Sequence, residues 1–282
     1  MARLVPLVVA LMMAVAACSE HAPPANPRVT ADLTQLTPEQ WQLLSERAIY
    51  FGHQSVGGNV VDGIRALAAE NAQIAKLRVV SGSGASTAPG LREFPIGENG
   101  DPVTKNAAFL GATEGTLGPK PVLMFKYCFA DVDENTDARA LFDRYQQTVA
   151  ALRAKQPGAI IVHVTAPLTT DSQFRNWVNT LRGRPNRRTW NGIRSRYNEI
   201  LRAAYSGKEP IFDLAAVEST RSDGTGVYAS VGGERVYAMA DEWTSDGSHL
   251  NSAGSKHAAV ELLLTLASLP GASSHRIADA AR

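Results

Sequence analysis

The chain reads as an α/β protein whose parallel sheet is covered by helices on both sides. Three observations predict this. Apolar, β-branched runs alternate with segments of helical periodicity from residue 48 to residue 266. The run at residues 159–165, Ala-Ile-Ile-Val-His-Val-Thr, is almost continuous in β-branched residues, as a strand buried on both faces requires. No segment repeats, and no composition shift marks a second domain.

The elements follow in order. Thr37-Pro-Glu-Gln40 is a helix start, with a threonine cap and proline at the first helical position. Residues 48–51 form strand one. Val60, Val61, Ile64, Leu67 and Ala68 then share one helical face. Residues 77–81 read as strand two. Residues 82–118 are glycine-rich with little periodicity and read as a long irregular stretch, a kind of loop that tends to be functional.

Residues 122–127 form strand three. Asp137 caps a helix carrying Leu141, Tyr145, Val149 and Leu152 inward. Residues 159–165 are strand four. Two helical stretches follow, at residues 174–181 and around Trp190, Ile193, Tyr197, Ile200 and Leu201. Residues 210–214 are a short fifth strand, and residues 224–239 carry the Asp-Gly and Gly-Gly signals of a hairpin insertion. The last helix sets Ala258, Ala259, Leu262, Leu263 and Leu266 on one face.

The N-terminus speaks to location. A short basic start with Arg3 precedes the apolar run at residues 4–17 and then Cys18. That run falls short of the about 20 apolar residues a membrane span needs and has the layout of a secretory signal. Val15-Ala-Ala-Cys18 resembles the lipobox of bacterial lipoproteins, which implies lipidation of Cys18 and a membrane-anchored protein facing the periplasm or the exterior. An ordinary signal peptide cleaved near Ala17 is the alternative. The expected organisation is a signal at 1–17, a lipidated cysteine and Pro/Ala/Asn-rich tether at 18–36, one domain at 37–270 and a tail at 271–282.

Cys18 and Cys128 are the only cysteines, so no disulfide framework is expected and Cys128 reads as a buried, inert thiol. Lys plus Arg number 28 against 27 Asp plus Glu. That balance gives no field for nucleic acid or polyanions. The cluster Arg182-Gly-Arg-Pro-Asn-Arg-Arg188 reads as a solvated loop between helices. No histidine pair has metal-ligand spacing with a third ligand, so neither metal nor cofactor is expected.

Two segments carry chemistry. In Tyr50-Phe-Gly-His-Gln-Ser-Val-Gly-Gly58, Ser55 stands where strand one breaks into a helix. Glycines there let a ligand approach the backbone, and the helix start offers unpaired amides, that of Ser55 among them. In Ser245-Asp-Gly-Ser-His-Leu250, three residues of separation let Asp246 reach one nitrogen of His249 and leave the other free as a base. Both segments lie at the carboxyl edge of the expected sheet, where such folds bind ligands. A serine that merely caps its helix is the structural alternative for Ser55, and a turn before the last helix is that for Asp246 and His249.

This pairing resembles the SGNH, or GDSL-like, hydrolase superfamily over residues 48–266. Asp246-Gly-Ser-His-Leu-Asn251 with Gly254 is similar to the family's last block, and Gly52-His-Gln-Ser55-Val stands in place of its Gly-Asp-Ser-Leu block. The resemblance implies a three-layer α/β/α sandwich with a flavodoxin-like five-stranded parallel sheet. It also implies ester hydrolysis through an acyl-enzyme, with Ser55 as nucleophile, His249 as base and Asp246 orienting it. Oxyanion donors are expected from Ser55 itself and from a glycine after strand two, Gly82 or Gly84.

The family's Gly-x-Asn-Asp block after strand three is absent. Its asparagine donor would have to come from Asn106 or Asn135, and Asp131 would accept rather than donate. His53, Gln54 and Trp243 are candidate pocket residues, and His163 reads as a satisfied core residue. The expected substrate is a small-molecule or polysaccharide ester, O-acylated carbohydrate foremost. An O-acyltransferase using the same residues and a non-catalytic envelope or carbohydrate-binding lipoprotein are the alternatives.

Overall fold

The computed structural model describes residues 32–171, 181 and 187–270. The signal, Cys18, most of the tether, the helix expected at 174–181 and the tail at 271–282 lie outside the described residues, Leu181 excepted.

The central sheet is parallel, with five strands in the order β2-β3-β1-β4-β5. These are β1 (Ala48–His53), β2 (Val79–Ser81), β3 (Gly90–Pro95), β4 (Val122–Phe125) and β5 (Ile160–Ile161). The chain then bonds onward as β6 (His163–Val164) beside β7 (Ile211–Phe212). Val162 N–H donates to Leu123 O, while His163 N–H donates to Pro210 O. Residues 160–164 therefore serve β4 with one half and β7 with the other, and the β6–β7 ladder continues the sheet.

The sheet is covered on both faces. One face packs α1 (Pro38–Glu46), α2 (Val56–Glu70) and α7 (Ser252–Ala267) through Trp41, Ile49, Phe51, Val60, Ile64, Met124 and Leu262. The other packs α3 (Pro102–Ala112), α4 (Ala138–Lys155) and α5 (Arg187–Tyr205) through Tyr50, Phe109, Phe125, Tyr145, Tyr197 and Leu201. Residues of β1 and β4 alternate between these two cores, as the two-residue period of a strand demands. The short buried helix α6 (Leu214–Glu218) follows β7. An antiparallel hairpin, β8 (Tyr228–Val231) and β9 (Glu234–Tyr237), turns through Gly232 and Gly233, both at positive φ.

The stretch expected to be irregular at 82–118 holds both β3 and α3. Asp101 caps α3 by accepting from the amides of Val103 and Thr104, with Pro102 at the first helical position. Strand β3, not β2, lies against β1, in register from Ala48↔Gly90 to His53↔Pro95. The strand read as second in the sequence is thus an edge strand, one position further out.

His163 is a fully buried core residue. It lies flat on Tyr205 at 3.5 Å between ring centroids, with Nδ1 on the Tyr145 hydroxyl at 2.8 Å and Nε2 on Glu209 at 3.1 Å. Cys128 is a free, buried thiol.

Candidate active site

Ser55 stands between β1 and α2 with φ +52° and ψ −112°. A β-carbon crowds the backbone at such angles, so a residue other than glycine costs about 1–3 kcal/mol there. The fold imposes the turn through close packing. A β-carbon on Gly57 would overlap His53 and come within 2.9 Å of Lys126 Cε. The helix therefore starts directly on the end of the sheet. Ser55 does not cap α2 with its side chain, and its Oγ is buried with no hydrogen-bond partner.

Asp246 and His249 form one unit. Asp246 Oδ2 accepts from His249 Nδ1 at 2.7 Å, and Oδ1 accepts from the amides of Ser248 and His249 at 2.7 and 2.8 Å. Burial works to raise the Asp246 pKa, but these bonds outweigh it and hold the carboxyl well below its usual range. An ionised carboxylate on Nδ1 fixes the tautomer that leaves the Nε2 lone pair open. The imidazole is partly exposed and rests edge-on against Phe129, 5.4 Å between centroids.

Two contacts bring this unit to the serine. Leu250 N–H donates to Asn59 Oδ1 at 3.3 Å, and Asn59 lies in the first turns of α2, where its amide bonds Ser55 O. Helices α2 and α7 meet so closely that a β-carbon on Gly63 would overlap the Ser255 carbonyl. No hydrogen bond joins Ser55 Oγ to His249.

His53, at the end of β1, lies beneath the same turn. Its Nε2–H donates to Glu93 Oε2 at 2.9 Å, and Glu93 Oε1 accepts from Arg65 Nη2 at 2.8 Å and from Ser81 Oγ. Burial pushes the Glu93 pKa up, yet those three donors keep it below the usual carboxylate range. Burial lowers the His53 pKa to about 4, so the ring is neutral near pH 7, and its buried Nδ1 has no partner. Gln54 is tied back to the loop after β3, donating to the carbonyls of Ile96 and Gly97 at 3.3 and 2.8 Å.

Other expected residues are held elsewhere. Gly84 follows the edge strand β2 and faces open space. Asn106 is on α3, on the opposite face of the sheet from α2, and its Oδ1 accepts from the Tyr127 hydroxyl at 3.0 Å. Asn135 is exposed in a turn where its amide bonds Asp133. None of these reaches Ser55 Oγ. Asp131 accepts from Lys105 Nζ at 2.6 Å and from the Cys128 amide, also at 2.6 Å. Trp243 is a core residue, stacked on His257 at 4.5 Å, with its indole N–H on Thr220 O.

Sequence reasoning passed over two residues at this edge. Gly97 follows β3, the true neighbour of β1, at φ +50°. A helix-and-strand reading of residues 90–112 would have found it. Lys126 follows β4, 1% exposed, on the α2 face of the sheet. A lysine at the end of a fully apolar strand was the signal.

Fold and site together define a three-layer α/β/α protein with a serine and an Asp–His pair at one sheet edge. No family model matches the sequence, and no curated protein matches it. Among solved structures, the chain is similar to a GDSL-like lipase from Bacteroides thetaiotaomicron at 14% identity, over 79% of this chain and 87% of that one, with TM-score 0.45. It is also similar to a carbohydrate esterase of family 3 from Talaromyces cellulolyticus at 14% identity, over 77% of this chain and 94% of that one, with TM-score 0.40.

Proposed function

We propose that the protein is a divergent serine ester hydrolase of the SGNH type, acting on O-acylated carbohydrate or another small acyl ester. One observation carries the reading. A serine is held at φ +52° with its hydroxyl unpartnered, at the edge where an aspartate fixes the tautomer of a histidine. Strain at a non-glycine residue persists only where its surroundings over-determine it, and it clusters at functional sites.

In the reaction, rotation about the Ser55 side chain brings Oγ toward His249. Oγ bonds to the acyl carbon as His249 Nε2 takes its proton, and the carbonyl electron pair moves onto oxygen. Collapse restores the carbonyl, breaks the bond to the leaving alkoxide and returns the proton from His249 to it. Water then gives a proton to His249 and adds to the acyl carbon; collapse breaks the acyl–Oγ bond as His249 returns the proton to Ser55 Oγ, releasing the acid. The Ser55 amide and the loop at Gly97 are the proposed backbone donors to the oxyanion.

The test is turnover of p-nitrophenyl acetate and acetylated saccharides by the full-length protein, together with labelling by a fluorophosphonate. Ser55→Ala is expected to abolish both; normal turnover by that variant would remove the assignment. A second reading, a non-catalytic domain, is favoured by the missing hydrogen bond between Ser55 Oγ and His249. A folded protein that never labels would establish it.

We also propose lipidation at Cys18 and an envelope location facing the periplasm or exterior. The support is the sequence resemblance to a lipobox. Cys18→Ser should release the protein from the membrane fraction, and retention of the variant there would count against the anchor.

A further inference from the structure

A buried ammonium needs ionic or hydrogen-bonding partners, because its desolvation is otherwise uncompensated. Two fully buried lysines flank the loop after β4, and they differ in this respect. Lys105 is saturated by both oxygens of Asp131 at 2.6 Å and by Asn99 Oδ1 at 3.0 Å. Lys126 makes one hydrogen bond among the described residues, 3.3 Å to Tyr127 O, and is in no ion pair there. Its chain runs beneath the first turn of α2, with Cε close to Gly57, two residues past Ser55. At the same turn Ser55 Oγ and His53 Nδ1 also have no partner. Under-bonded polar groups thus gather at the serine, and the lysine among them is short of acceptors.

We propose that Lys126 is an oxyanion-stabilising residue of this site, donating to the carbonyl oxygen that becomes negative when Ser55 adds to the acyl carbon. The inference rests on the ester hydrolase reading above. The charge it meets is created in the step itself. As the Oγ–C bond forms and the serine proton passes to His249, the π pair of the carbonyl settles on oxygen. Nothing is oxidised or reduced. A hydrogen-bond donor sealed from water acts on that charge far more strongly than it would in solvent. Because Lys126 makes one long hydrogen bond before reaction, it gains more from the transition state than from the ground state, which is the condition for raising the rate.

Asp131, Glu218 and the Cys128 thiol are all felt at Lys126, and Lys105 opposes them. Asp131 is already bonded through both oxygens to Lys105. Burial raises the Glu218 pKa to about 8, which keeps it mainly protonated at pH 7. Burial likewise lowers the Lys126 pKa.

The experiment compares full-length wild type with Lys126→Met and Lys126→Gln. It reads kcat and KM on p-nitrophenyl acetate, the rate of fluorophosphonate labelling at Ser55, and Tm. Lys126→Met is expected to lower kcat and the labelling rate about 100-fold with KM changed less than about threefold. Its Tm should hold or rise, since an under-bonded buried polar group is gone. Lys126→Gln keeps an N–H donor and should fall between, and it decides alone by the same thresholds if the methionine variant does not fold.

Retention of kcat within about threefold would overturn the proposal, as would a loss of rate that only tracks a fall in Tm. Wild type that neither turns over ester nor labels at Ser55 would sink the hydrolase reading and this inference with it. Labelled wild type with equally reactive variants would sink the role of Lys126 alone.

Discussion

At φ +52° the Ser55 β-carbon crowds its own backbone, and only the hydroxyl gives a reason to keep it. Glycine adopts that region freely. Ser55→Gly is therefore expected to be more stable than Ser55→Ala by about 1 kcal/mol, although both lose the proposed nucleophile. Urea denaturation of the two variants measures the difference, and equal midpoints would show that the turn is not strained. Individual residues were legible in the sequence where a short local spacing defined the contact. Asp246 and His249, three residues apart, meet as the spacing requires. Lys126 shows in the sequence only as a lysine closing an apolar strand, because its setting is made by His53 and Gly57 from two other elements. Asn106 was misread for a similar reason: its partner, Tyr127, comes from across the β4–α3 packing.

Among elements, the crossing of α2 and α7 sets the site. Gly63 lets the backbones touch at Ser255, and the same helices begin at Ser55 and just after His249. Gly63→Ala must push them apart, at a cost of about 1–3 kcal/mol. It should lower Tm and reduce kcat more than a helix-surface change such as Asp62→Ala. Equal kcat values would mean that the crossing does not position the site. Helices with long apolar faces and clear caps, such as α4 and the final helix, were legible from periodicity alone. Strand β3 was not. Its residues Gly-Leu-Arg-Glu-Phe-Pro alternate too briefly, and its Glu93 belongs to a buried network that only the folded neighbours Arg65, Ser81 and His53 reveal.

Across the whole molecule, buried titratable groups give stability a defined pH dependence. Burial lowers His53 and His163 to about 4, so between about 4 and their unfolded value near 6.5 the unfolded chain binds more protons than the folded one. That contribution is present above pH 6.5 and is lost as pH falls through the window. Glu218, raised to about 8, works in the opposite sense between about 4.5 and 8. These two imidazoles against one carboxyl leave a net loss on acidification from pH 6.5 to 4.5, on the order of 2 kcal/mol, and His257, also lowered by burial, adds to it in the same direction. Urea midpoints across that range measure it, and a flat profile would contradict the buried, neutral state of both rings. None of this could be read from charge composition. His163 sits in a strand, and burial among residues distant in sequence, Tyr205 and Tyr145, keeps it neutral against the pull of Glu209.

The bond from Leu250 to Asn59 spans 191 residues and has a consequence in time. Closing so distant a pair is slow compared with forming helices and neighbouring strands. During synthesis the N-terminal part leaves the ribosome first, while the Asp–His unit and the helix behind it are among the last to emerge. A chain still being made can hold its serine turn, yet it lacks Asp246 and His249. Under the proposed function, reactivity would then arrive only with the final helix, after the sheet has formed, and in a nascent or C-terminally shortened chain Ser55 would lie idle.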